Sequence, residues 1–356
     1  MTMDLSSLAR SLRGVRLLVV GDLMLDEYIT GSTDRVSPEA PVPVVRFESE
    51  SFALGGAANA AAGAAALGGS VTLVGVVGED RAARRIEDLA KCGRIDYRGF
   101  VAADRGTTVK TRIIANHQQI ARIDREESAP LSASAESGLV ATIEKAMALV
   151  DGALISDYGK GMISGRVAGA VMEEARTRSL PVVVDPKGTQ FRKYRGATVI
   201  KPNEREAIAA AGDAAVRKPV DLCEVGAALQ ETLGGSAVLI TRGADGMLLL
   251  EAGSPPFYVH SRVVHVYDVT GAGDTAAAAL ALGLAAGADL GVATTLADCA
   301  ASIVVSKRGT ASVAEAELVH AVDAALAAGL EDRVLDDSGR SEGFAVQEHE
   351  GLPSLR

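Results

Sequence analysis

A rhythm restricts this chain more than any other feature. Short apolar, β-branched runs, each closing on Gly, Asp or Asn, alternate with longer segments of helical periodicity. The runs are VRLLVVGD (15–22), VTLVGVVGED (71–80), GALISDY (152–158), PVVVDPKG (181–188), ATVIKPNE (197–204) and AVLITRGADG (237–246). Segments such as AANAAAGAAALGG, SGLVATIEKAMALV and VAGAVMEEARTRS separate them. Strands apolar on both faces must be covered on both, and helical crossovers join parallel neighbours. The pattern predicts an α/β fold: a mostly parallel sheet with helices on both faces. Ligands of such sheets sit at the carboxyl ends of the strands, where these polar residues collect.

Two stretches break the rhythm. Residues 27–50 and 107–125 are rich in Thr, Val and Ile with polar alternation, and read as a small β-sheet lid exposed on one side. Pro38, Pro41 and Pro43 suit an edge or a turn. No internal repeat is visible. One domain over residues 1–330 with the lid inserted is expected, followed by a polar, acidic tail, 331–356, that is disordered or loosely docked.

A net charge of −10 argues against nucleic acid or an anionic membrane as the main partner. Cys92, Cys223 and Cys299 form no CxxC pair, and the five histidines show no metal-ligand spacing. Neither a disulfide framework nor a zinc site is expected, and the cytoplasm is the expected location. The N-terminal apolar run LLVV is too short for a signal peptide or a membrane span.

DVTGAGDT (268–275) places an acidic residue inside a glycine-rich turn that opens an alanine-rich helix. Three readings compete. In the plainest, Gly271 and Gly273 make a tight turn and Asp274 caps or charges the helix start. A dinucleotide fold is the second, since Gly271, Gly273 and Ala276 satisfy GxGxxA. That fingerprint needs another strand with a terminal acid about 20 residues on, and the sequence there stays helical. The third is phosphoryl transfer. The amides of Gly271, Ala272 and Gly273 would stabilise charge on the moving group. Asp274 would face the acceptor hydroxyl and take its proton, a contribution of about 10²–10⁴-fold. GxxxxGK[ST] is absent, so this turn is the loop available.

The same stretch resembles the C-terminal signature of the ribokinase-like (PfkB) carbohydrate kinases. LGGAANAAAGAAALGGSVTLVGVVGED (54–80) resembles their N-terminal signature, and the likeness runs over residues 15–320. It implies transfer of the ATP γ-phosphoryl group to a sugar hydroxyl with Mg²⁺. It implies sugar contacts from Gly55, Gly56, Asn59, Asp26 and Asp157, with Asp22 ranked below Asp26. Asn203 and Glu206 match the NxxE turn beside the nucleotide phosphates, Glu206 ordering Mg²⁺ through water. Glu204 and Arg205 lie within that turn, and a helix cap would use the same residues. Thr241, Gly243 and Gly246 of TRGADG would pass the nucleotide, and Lys307 of KRGT would line its adenine side. Asp268 and Thr270 are candidates to hold a monovalent cation, K⁺.

A further likeness is local: RVSPEAPVPVV (35–45), TTVKTRIIANHQQIARID (107–124), SDYGKG (156–161), VDPKGTQFRKYRGAT (184–198), VYDVTGAGDT (266–275) and VVSKRGTASV (304–313). Together they look like the kinase part of the enzymes that phosphorylate D-glycero-D-manno-heptose 7-phosphate at C1, on the way to ADP-heptose for lipopolysaccharide or related glycans. A substrate already carrying phosphate needs cations near the site. Lys110 and Arg112, which would share a strand face, are candidates, with Arg122 and Lys187. Each can equally be solvated surface charge. No HxGH-type segment follows, so the kinase step alone is expected. The alternatives are another ribokinase-like kinase, acting on a ketose or an unphosphorylated sugar, and a catalytically silent binding protein of the same fold. Relatives commonly clasp lids, so a homodimer through the lid is expected.

Overall fold

Every apolar run singled out above is a strand of the computed structural model, which describes residues 4–102, 104–212, 220–262, 266–307, 311–327 and 333–334. The chain begins with α1 (Leu5–Ser11), β1 (Arg16–Gly21), β2 (Leu23–Val36), β3 (Pro43–Gly56), α2 (Ala57–Ala66), β4 (Ser70–Val77), α3 (Arg81–Cys92) and β5 (Asp96–Val101). It continues through β6 (Thr108–Ala115), β7 (Gln118–Arg125), α4 (Ala133–Met147), β8 (Gly152–Ser156), α5 (Gly165–Arg178), β9 (Val182–Asp185), β10 (Val199–Ile200) and α6 (Glu204–Ala211). Then come α7 (Leu222–Leu233), β11 (Ala237–Thr241), β12 (Met247–Leu250), β13 (Phe257–Val259), α8 (Ala272–Ala285), α9 (Leu290–Val305), α10 (Glu315–Ala327) and β14 (Arg333–Val334).

The large sheet has the order β14-β13-β12-β11-β10-β9-β8-β1-β4-β5. Pairing is parallel from β5 across to β11 and antiparallel through β12, β13 and β14. Arg333–Val334, inside the stretch expected to be a loose tail, thus adds an edge strand; residues 331–332 and 335–356 lie outside the described residues. Because successive strand side chains point to opposite faces, the core divides in two. Leu17, Val19, Leu154, Val183 and Leu239 pack with α1, α2, α8, α9 and α10, whereas Leu18, Val20, Ile155, Val184 and Ile240 pack with α4, α5 and α7. Helix α8 is buried from Asp274 to Leu284. A helix apolar on every side belongs inside, and its alanines let α2, α9 and strands β8 and β9 approach closely.

The chain steps from β1 one way to β4 and β5, and the other way to β8 through β11. That reversal opens a crevice at the carboxyl ends of β1 and β8. The lid leaves at the same point. It is a four-stranded sheet, β3-β2-β6-β7, in which β2 begins at Leu23 rather than Glu27, directly after β1. Pro38 and Pro41 sit in the β2–β3 connection and Pro43 opens β3, while β7 is exposed along its length. Lys110 and Arg112 lie opposite Asp26 and Tyr28 of β2, so the two cations do share a face. No helix among the described residues is long and apolar enough to cross a membrane.

Candidate active site

At the carboxyl edge of the sheet lies an open cleft of about 170 Å³. Its walls are Asp157 and Tyr158 after β8, Asp185 at the end of β9 with Pro186 and Lys187 beyond it, Lys201 and Asn203 after β10, Glu206 on α6 and Thr241 on β11. Gly271, Gly273 and Asp274, at the start of α8, complete it. Gly271 caps α8 at φ 81°, and a Cβ there would stand 3.1 Å from Asn59 Nδ2. Only glycine makes this turn without strain. Ala272 departs from the expected trio of amides: its N–H donates to the Val269 carbonyl at 3.2 Å, closing the turn, and the two glycines border the cleft instead.

Asp274 is 8% exposed in the first turn of α8. Asn59 Nδ2 donates to Oδ2 at 2.6 Å and the Tyr158 hydroxyl donates to Oδ1. Burial, and after it the charge of Asp185, pushes the carboxyl up to about 6, against the pull of Tyr158, Asn59 and Lys201. Such a group is ionised at neutral pH and still basic enough to accept a proton.

Lys201 and Asp185 escaped the sequence reading, although KPNE and VDPK place both at strand ends on the ligand edge. Lys201 is 3% exposed and pairs with Asp185 at 3.0 Å. A Cβ on Gly273 would lie 3.8 Å from its Nζ, so a buried ammonium stands beside the glycine turn. Tyr158 was missed as well; its position two residues past β8 was the available signal. Asp22, ranked low, is buried and accepts the N–H groups of Tyr158 at 2.7 Å and Lys160 at 3.2 Å. Burial, then the Asp157 charge, pushes it up to about 6. It ties the end of β1 to the loop that carries Tyr158. Asp157 lines the cleft, with its oxygens accepting from Lys193 at 2.6 Å, Tyr194 at 2.5 Å and Gly159 N–H at 2.7 Å.

On the lid, Asp26 is 6% exposed and bonded to Arg112 Nη1 at 2.5 Å. A Cβ on Gly55 would come within 2.9 Å of Asp26 Oδ2, and one on Gly56, at φ 58°, within 2.5 Å of the Asp22 carbonyl. The glycine pair lets β3 turn into α2 past both aspartates. Lys110 pairs with Asp124 at 3.1 Å and Glu126 at 2.9 Å, and Arg122 with Asp124 at 2.9 Å. Lys187, across the cleft, pairs with Glu206 at 2.5 Å. All four cations considered for a substrate phosphate are therefore ion-paired.

Asn203 and Glu206 form a reciprocal capping box at α6, at 2.9 and 3.0 Å, so cap and NxxE turn are the same atoms. Thr241 is bridged to Asn203, and Gly243 and Gly246 shape the turn after it at φ 59° and 81°. Glu204 and Arg205 are exposed on α6, away from the cleft lining, beside Ile208 and Ala209. Lys307 also lies outside the lining; its amine donates to the Ser312 carbonyl and to Glu317, both at 2.8 Å. Residues 308–310 of KRGT lie outside the described residues. Asp268 accepts the Thr270 N–H at 2.9 Å, and its own N–H reaches the Val305 carbonyl at 3.3 Å.

The model of the pfkB family carbohydrate kinases matches residues 16–317. Bifunctional protein HldE of Pelobacter propionicus is 42% identical over 320 residues, covering 90% of this chain and 65% of that protein. The chain thus spans just under two-thirds of that relative's length. Among solved structures, Arabidopsis thaliana ribokinase complexed with ribose and ATP superposes with a TM-score of 0.67 at 21% identity, covering 87% of this chain and 99% of its own. Escherichia coli phosphofructokinase-2 in complex with potassium gives 0.71 at 19% identity, covering 88% and 99%. At these identities the two structures speak for the fold.

Proposed function

The chain belongs to the pfkB family of carbohydrate kinases and is an ATP-dependent sugar kinase; from that premise we propose that it phosphorylates D-glycero-D-manno-heptose 7-phosphate at C1. The six local stretches in lid and sheet support this choice of sugar, as does the likeness to HldE over most of the chain. The observation that carries the chemistry is Asp274: a buried carboxylate at a helix start, held by two neutral donors in the lining of the cleft.

In this reading Asp274 accepts the proton of the acceptor hydroxyl as that oxygen forms its bond to the γ-phosphorus and the bond to the ADP oxygen breaks. The Gly271–Gly273 turn and Lys201 stabilise the charge on the transferring group. Asp26, Asn59 and the Gly55–Gly56 backbone hold the sugar, and the lid excludes water so that ATP is not hydrolysed. Among the described residues no three His, Cys, Asp or Glu side chains form a metal cluster of their own. Glu206 and Asn203 at the cleft wall fit a Mg²⁺ that keeps most of its waters and is held largely by phosphates. Bound there, Mg²⁺ would neutralise phosphate charge. Asp268 and Thr270, joined by the Thr270 N–H on the Asp268 carboxylate, are the residues that would hold a monovalent cation such as K⁺.

The exposed lid side chains Val36, Val42, Phe47, Ile120 and Ile123 support a homodimer through the lid; a monomer by light scattering at micromolar concentration would count against it. A kinase for an unphosphorylated sugar is the second reading, favoured by the ion pairing of every candidate phosphate cation. Coupled ADP release on heptose 7-phosphate, fructose 6-phosphate, fructose and ribose, with Asp274→Asn as control, separates the two. Greatest kcat/KM on the heptose phosphate supports the proposal, and no turnover of it ends the proposal.

A further inference from the structure

Within SDYGKG, Lys160 is held on both its backbone and its side chain. Gly159 at φ 69° and Gly161 at φ 84° flank Lys160, and a Cβ on Gly161 would stand 2.2 Å from the Ala129 carbonyl oxygen. The Lys160 N–H is held by Asp22 at 3.2 Å and its carbonyl by Arg105 Nη2 at 2.8 Å; Arg105 also holds the Glu127 carbonyl at 2.9 Å. These contacts fix the backbone on both sides of a side chain that sits two residues from Tyr158. The Cα atoms of Tyr158 and Lys160 are therefore within about 7.6 Å, and Tyr158 is bonded to the base.

The ammonium of Lys160 reaches Glu126 Oε1 at 2.7 Å, and that of Lys110, from the lid, reaches Glu126 Oε2 at 2.9 Å. Both lysine side chains are under one-fifth exposed, at 19% and 18%. Two partly buried ammoniums from separate elements, the lid strand β6 and the loop after β8, thus converge on one carboxylate. Glu126 is the first residue past β7, outside the sheet ladder, and free of the pairing that would hold its backbone. Lys110 also reaches Asp124 at 3.1 Å, a carboxylate that Arg122 shares, while Arg112 is committed to Asp26.

We propose that Lys110 and Lys160 seat the phosphate the sugar already carries, and that Glu126 holds the two ammoniums in place until that phosphate displaces it. The inference rests on the sugar-phosphate reading above and names the subsite that reading lacks. A phosphate monoester carries about −1.5 to −2 charge and three acceptor oxygens, against the single charge of a carboxylate. It therefore matches two ammoniums better than Glu126 does. Because the lysines are already ordered, little side-chain freedom is lost when the exchange occurs.

The test compares each sugar phosphate with its dephosphorylated form: heptose 7-phosphate with heptose, fructose 6-phosphate with fructose, ribose 5-phosphate with ribose. In Lys160→Gln the preference in kcat/KM for the phosphorylated member should fall roughly 10- to 100-fold, through KM for the sugar. KM for ATP and the melting temperature report any general damage. Lys160→Arg should recover most of the preference, and Glu126→Gln should lower KM for the sugar phosphate several-fold. An unchanged preference in Lys160→Gln, or a raised KM in Glu126→Gln, overturns the clamp while leaving the choice of heptose standing. If the wild type turns over another sugar phosphate instead, the heptose reading fails and the clamp is judged on that pair. A wild type that turns over only unphosphorylated sugars overturns both.

Discussion

Carboxylates around the cleft fall into two kinds: Asp274 and Asp22 on its floor are buried and held by neutral donors, whereas Asp157 and Asp185 beside them, and three carboxylates of the adjoining lid, meet cations. On the floor, Asp274 takes hydrogen bonds from the neutral groups of Asn59 and Tyr158, and Asp22 from backbone N–H groups. Burial above all pushes both up to about 6. On the lid, Asp26 meets Arg112, Asp124 is shared by Lys110 and Arg122, and Glu126 by Lys110 and Lys160. Burial raises Asp124, but the hydrogen bonds of Lys110 and Arg122 outweigh it; those of Lys160 and Lys110 hold Glu126 below its ordinary range. The difference separates two tasks. A carboxylate that must accept a proton is kept costly to charge, whereas one that must stay charged is given cations.

The contrast breaks most severely if the floor carboxylate is dispensable. Asp274→Asn should lower kcat by about 10³-fold or more, and a loss of less than tenfold in a coupled assay would remove Asp274 from the mechanism. The same variant sharpens the contrast through stability. With a folded pKa near 6 against the ordinary 3.8, the native state holds its proton more tightly than the unfolded chain. The wild type therefore loses stability as pH rises from about 4 through 6, by up to about 3 kcal/mol. Asp274→Asn should melt above the wild type at pH 8, and the advantage should vanish near pH 4.

On the lid the sign reverses. Arg112→Met leaves Asp26 buried without its cation and should cost about 3 kcal/mol, read as faster hydrogen exchange in β2 and β6. Asp26→Asn combined with Arg112→Met should recover most of it. A cost under about 0.5 kcal/mol would make this an ordinary surface pair. Tyr158→Phe is gentler, with kcat down about tenfold as one donor leaves the base. The acid limb of kcat/KM, near pH 6 in the wild type, should move upward, since the Tyr158 hydrogen bond lowers the Asp274 pKa; a limb that moves downward contradicts this. Smallest of all, Lys307→Ala should alter KM for ATP by no more than about twofold, because its amine is spent on Ser312 and Glu317.

Much of this architecture was legible beforehand. The six apolar runs became strands, and the two alternating stretches became the lid. VVVDPKG predicts β9 because β-branched residues between turn formers have few other places to go. The capping box at Asn203 and Glu206 is written in four consecutive residues. What the sequence reading missed lies in partners rather than elements. Nothing in SDYGKG announces that Tyr158 reaches a carboxylate 116 residues further on, and nothing in KPNE announces that Lys201 meets Asp185. Arg112 stood between phosphate ligand and solvated surface charge until β2 placed Asp26 beside it.

Periodicity, turn chemistry and capping act over a few residues, so the order of strands and helices, the exposed lid and the glycine turn before α8 were settled by the amino acids in line. Electrostatic environment is a property of neighbours in space. Asn59 lies 215 residues from Asp274 and becomes its donor only when α2 packs against α8. Whether a given aspartate would be left costly to ionise or matched by a cation was decided by that packing alone.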